Sequence, residues 1–159
     1  MKYSDQYMMK DFYNRTFSIL DQYDSTKTNL GKDSYEVTLL INCLFGIIIM
    51  PRTHWFGELK DKKFGKNISQ VTLIKNGKDI SLENYKLDWL FRSLRNSLAH
   101  WGDRREGHHS GIENIIFEDD HEKISGLKIK DASQSFEIHF KTIDSIREFL
   151  NGLKEIINN

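Results

Sequence analysis

Proline occurs once in this 159-residue chain, at Pro51, and cysteine once, at Cys43. Proline interrupts helices by removing a donor and clashing with the preceding turn, so its scarcity leaves room for long unbroken helices. A single cysteine cannot close an internal disulfide. Cys43 lies in an apolar run and reads as a small buried hydrophobe in a reducing compartment. Neither sign of charge is in excess, with 23 Lys+Arg against 23 Asp+Glu. That balance excludes the global basic field of a non-specific DNA binder and leaves any nucleic-acid contact to a local patch. No run is apolar enough for a membrane span: the longest, Val37 to Met50, carries Thr38, Asn42 and Gly46 and falls short of the roughly 20 residues required. The start, MKYSDQYMMKDFYN, has no apolar h-region and no small-residue cleavage site. A cytoplasmic protein without a membrane segment is expected. The length suits one domain over residues 1–159 with its own core.

What is present is mostly helical text. Tyr7, Met8, Phe12, Arg15, Ile19 and Gln22 recur at three-and-four spacing, which predicts a first helix over residues 3–24. DSTKTNLGKDS is a loop, and Asp33 or Ser34 can cap a second helix from Tyr35 to about Met50. That helix is apolar nearly all round and should be the most buried; Glu36 in its first turn reads as a solvated carboxylate favoured by the helix dipole. Residues 52–77 are irregular, and ISQVTLIKNG fits a short helix or a strand. A third helix is expected from near Ser81, where S-L-E-N resembles a capping box, to His100 or Trp101, with Gly102 as its stop. Its core stripe is Leu82, Tyr85, Leu87, Leu90, Phe91, Leu94 and Leu98. IENIIF, ISGLKIK and SFEIHF are expected to form two or three short antiparallel strands, and Thr142 to Ile157 a last amphipathic helix. The fold expected from these readings is mainly α, a helical bundle with a small antiparallel β insertion before the C-terminal helix.

The segment LRNSLAHWGD carries the chemistry. On a helix Arg92, Asn96 and His100 lie four apart along one stripe, with Arg95 beside it, about 140° from His100 at about 100° per residue. The leucines and Phe91 occupy the opposite stripe. Cleavage of RNA by its own 2′-hydroxyl needs a group that exchanges protons near neutral pH, and histidine does so. It also needs a fixed positive charge where phosphate charge develops, which an arginine supplies bidentately. An amide such as Asn96 can orient the imidazole or contact the phosphate. One histidine serves poorly as both base and acid in one step, whereas two chains about a two-fold axis would bring two histidines and two arginines to one site.

Arg95-Asn-Ser-Leu-Ala-His100 matches the R-x4–6-H motif of HEPN (higher eukaryotes and prokaryotes nucleotide-binding) domains, with Asn96 at the polar position after the arginine. The preceding run LLINCLFGIIIMPR resembles the buried core helix of small stand-alone bacterial HEPN proteins. The resemblance implies a helical, dimeric endoribonuclease that needs no metal or other cofactor, often deployed in toxin–antitoxin or anti-phage defence. The segment between 112 and 140 departs from a minimal helical bundle. The catalytic set so implied is Arg95, Asn96 and His100, with Arg92, Arg104 and Arg105 as candidate RNA contacts. The expected partners are RNA, a second copy of the chain, and an antitoxin or regulatory protein. The competing reading is a catalytically silent HEPN-like module that binds a nucleotidyltransferase-type or antitoxin partner.

Trp101 reads as packing rather than as a base-stacking ring. His108 and His109, with Asp103 and Glu106, lack the spacing of a good metal site. His139, between Ile138 and Phe140, reads as the outer face of a strand.

Overall fold

The segment VTLIKNGKDI folds as a β-hairpin. Asn76 (φ 51°) and Gly77 (φ 72°) both take left-handed backbone, as a two-residue type I′ turn demands, and asparagine followed by glycine is the pair that best tolerates it. The computed structural model describes residues 5–26, 36–50, 59–99, 115–120, 123–131 and 135–158. In chain order these form α1 (Asp5–Thr26), α2 (Glu36–Ile49), β1 (Val71–Lys75), β2 (Lys78–Ile80), a 3-10 turn (Leu82–Asn84), α3 (Leu87–Ala99), β3 (Ile115–Asp120), β4 (Lys123–Lys130), β5 (Phe136–Phe140) and α4 (Ile143–Asn158).

The expectation of a mainly α bundle with a small β insertion is overturned. The five strands make one antiparallel sheet in the order β2-β1-β5-β4-β3, so the fold is α+β. The cause is the hairpin: β1 pairs with β5 along its whole length, from Val71 opposite Phe140 to Lys75 opposite Phe136. Strands from before and after α3 are thereby joined, and the sheet is a layer of the fold rather than an excursion. Its inward face is apolar, with Leu73, Leu127, Ile129, Phe136, Ile138 and Phe140 buried. The helices cover that face: α4 lies on β4 and β5, α3 lies on β4, and α2 sits among α1, α3 and α4.

Most helix bounds fall within two residues of those predicted; α3 is the exception. Its first turn is displaced to Leu87, because Ser81 to Tyr85 close a separate 3-10 turn in which Ser81 makes no side-chain cap. The Leu87 amide donates instead to the Lys62 carbonyl at 3.0 Å. That tertiary bond satisfies a helix-start donor that a capping box would otherwise serve. The start of α4 is capped reciprocally: the Ser145 amide donates to Thr142 Oγ1 at 3.2 Å, and the Thr142 amide to Ser145 Oγ at 3.4 Å. Cys43 is buried on α2, and burial pushes its thiol pKa up, which suppresses the reactive thiolate. Among the described residues no helix is long and apolar enough to cross a membrane.

Two polar devices hold the helices together. Arg147 on α4 reaches both Asp24 on α1 and Glu36 on α2. Glu36, expected to be solvated, is therefore half of a clamp across three helices, and the arginine's five donors in a fixed fork are what allow it to bind two carboxylates at once. The second device is Tyr13, fully buried on α1, whose hydroxyl donates to the Ile47 carbonyl of α2 at 2.9 Å. Burial pushes this phenol well above its usual value of about 10. The unfolded chain can ionise Tyr13 from about pH 10 while the folded chain cannot. The stability it contributes is therefore full below that pH and is lost as the pH rises towards the folded value. We expect Tyr13→Phe to cost about 1 kcal/mol near neutral pH. In urea titrations at stepped alkaline pH the variant should lose less stability than the wild type above about pH 10; equal losses would sink the assignment.

Candidate active site

α3 is anchored by its apolar side. Leu87, Leu90, Phe91 and Leu94 are fully buried and Leu98 nearly so. Ser97 is also fully buried on that side, its hydroxyl satisfied by donating to the Ser93 carbonyl at 2.8 Å. A helix seated this firmly on α2 and β4 holds its other face as a rigid platform. Asn96 is exposed on that platform, and Arg92 and Arg95 are half-buried. The structure thus places three of the six expected site residues on one helix, Arg95 and Asn96 in its last two turns and Arg92 nearly one turn before Arg95. His100, Arg104 and Arg105 lie outside the described residues, as do Trp101, Asp103, Glu106, His108 and His109.

The described half of the motif can bind an oxyanion and orient a partner side chain. A guanidinium offers a phosphate a planar fork of donors, and Asn96 offers both a donor and an acceptor. General acid–base catalysis calls for a further group of another kind, because an arginine and an amide suit binding and orientation.

Trp89, on the same helix, is not distinguishable in the sequence because it falls between the core residues of the apolar stripe. It is 56% exposed, and the Lys75 ammonium lies 5.2 Å from its ring centroid and 5.4 Å from that of Tyr85. The sheet's outer face carries another polar group. His139 does lie on that face, as expected, with Thr72 and Lys128 as its cross-strand neighbours. Its Nε2 is also 2.7 Å from Glu118 Oε1 of β3, an ion pair when the ring is protonated. Gly126 makes this possible. It stands opposite Glu118 on the intervening strand, and a Cβ there would meet the Phe140 carbonyl at 2.7 Å and Glu118 Oε2 at 3.1 Å. Only a residue without a side chain leaves the carboxylate room to lie across β4.

No curated protein and no solved structure matches the chain. One family model does, described as HEPN pEK499 p136, and it spans residues 1–159. The match takes in α3, the Arg95-Asn96 pair and His100, and by it the chain belongs to the HEPN family.

Proposed function

We propose that the chain is a metal-independent endoribonuclease that cuts single-stranded or structured RNA at a site shared by two copies. The observation that carries this reading is a half-buried arginine and an exposed amide, adjacent near the end of a core-anchored helix in a HEPN chain. His100 of one copy takes the proton of the 2′-hydroxyl, whose oxygen attacks the adjacent phosphorus. The bond from phosphorus to the 5′-oxygen breaks, and that oxygen receives a proton from the second copy's histidine. The products are a 2′,3′-cyclic phosphate and a 5′-hydroxyl. Arg95 binds the phosphate and stabilises its developing charge, Asn96 positions the reacting groups, and Arg92, Arg104 and Arg105 contact the flanking RNA. A nuclease of this kind acts in toxin–antitoxin or anti-phage defence, restrained by an antitoxin or regulatory protein.

A shared site has a consequence that separates it from a one-chain enzyme. RNA cleavage per chain should fall on dilution in step with the dimer fraction measured by sedimentation. Constant cleavage per chain from dimer to monomer would rule the shared site out.

A further inference from the structure

The end of the β1–β2 hairpin and the first turns of α3 enclose a cluster that the motif does not account for. Lys75 and Lys78 are cross-strand partners on either side of the Asn76-Gly77 turn, and their register puts both on the helix-facing side of the sheet. Lys75 reaches the Tyr85 and Trp89 rings, and Lys78 is exposed. Trp89 is a large indole left more than half exposed on a helix whose core-facing side is filled by smaller side chains. A ring whose exposure contributes nothing to the core, with the Lys75 ammonium beside it and Lys78 opposite Lys75 on the next strand, combines a stacking surface with charge for a phosphate.

Its position gives the cluster a direction. At about 100° per residue Trp89, Arg92 and Asn96 fall within about 60° of one another, on one stripe of α3. The rise from Trp89 to Asn96 is about 10.5 Å, so the ring stands beside the site rather than in it. The geometry points to Trp89, with Lys75 and Lys78, as a subsite for single-stranded RNA. A base stacks on the exposed indole and its phosphate meets the lysines, so the strand is led along α3 towards Arg95. The inference rests on the nuclease reading for its substrate class. Single-stranded RNA suits the cluster better than a second copy of the chain, because two like copies meeting here would set Lys75 and Lys78 of one against the same lysines of the other. Stacking is also indifferent to base identity, which predicts a subsite that tolerates sequence.

The test uses the full chain in a His100→Ala background, with a fluorescein-labelled single-stranded oligoribonucleotide followed by anisotropy under chelation. Trp89→Ala should weaken binding about tenfold, and Trp89→Phe should recover most of the loss. Lys75→Ala and Lys78→Ala should each make the dependence of log K on log salt shallower by about 0.7. Trp89 is exposed and alanine is a good helix former, so the fold tolerates the change. Unchanged affinity in Trp89→Ala overturns the inference, and so does a loss of dimer mass in that variant, which would make the ring a contact between copies. Failure of the two readings can be told apart by assaying cleavage with His100 intact. RNA cut with the same KM by wild type and Trp89→Ala keeps the nuclease and removes the subsite. Trp89-dependent binding by a chain that cuts no RNA keeps the subsite and removes the nuclease.

Discussion

Arg95→Ala is expected to lower the rate of RNA cleavage by about 10²–10³-fold and His100→Ala by about 10²–10⁴-fold. Removing His100 leaves the 2′-hydroxyl without a base and the departing 5′-oxygen without an acid, and a positioned acid–base group is worth about that range. Removing Arg95 strips a fixed positive charge from the pentavalent transition state, an electrostatic loss of about 10²–10³-fold. The two losses should not multiply in the double variant, because both groups serve one transition state. Asn96→Ala should cost less, about tenfold, since an amide that orients the reacting groups is replaced in part by water. Asn96 is exposed, so its removal should shift folding stability by no more than about 0.5 kcal/mol, which separates a lost function from a lost fold. Cleavage that survives both Arg95→Ala and His100→Ala would place the chemistry elsewhere in the chain.

Phe149→Ala is expected to be the most damaging single change to the fold, at about 3–5 kcal/mol. Phe149 is fully buried on α4. Its ring lies 4.9 Å from that of Phe64 and meets Phe140 of β5 edge-on at 5.2 Å. The side chain thus joins three parts of the core: the last helix, the central strand β5, and the loop ahead of β1. Phe64 in turn packs over Gly152, where a Cβ would stand only 3.0 Å from its ring, so the rings cannot slide towards α4 to close the void. Against a typical total of about 5–15 kcal/mol, the loss leaves a domain of this size only marginally folded. Thermal unfolding followed by circular dichroism should show a midpoint lower by about 6–20 °C. A drop of only a degree or two would mean the helices are not seated on the sheet as described.

The helices were legible because each carries its apolar residues at helical spacing. Spacing alone puts Leu87, Leu90, Phe91, Leu94 and Leu98 on one face of α3, and all five are buried. The strands β3, β4 and β5 are visible as alternating runs, although β3 extends past IENIIF into the acidic text EDD. The hairpin is not legible in the sequence, despite the Asn-Gly pair that favours its turn: VTLIK alone is too short to choose between helix and strand, and its pairing partner β5 lies some sixty residues later. The same non-locality hid the sheet as a layer, and with it the fold class. The start of α3 depends on the Lys62 carbonyl, the role of Glu36 on Arg147, and the surroundings of His139 on a glycine one strand away. None of these partners is a sequence neighbour. At the site, the helical placement of Arg92, Arg95 and Asn96 could be read from local spacing, while Trp89 could not be distinguished from the core residues beside it.

The most direct measurement is cleavage of a defined RNA by the purified wild-type chain in excess EDTA, with the new ends identified chemically. Cleavage should proceed at full rate with 2′,3′-cyclic phosphate and 5′-hydroxyl ends, and fall by about 10²–10⁴-fold in His100→Ala. A well-folded dimer that cuts no RNA, or one whose products carry 5′-phosphates, would contradict the proposed mechanism.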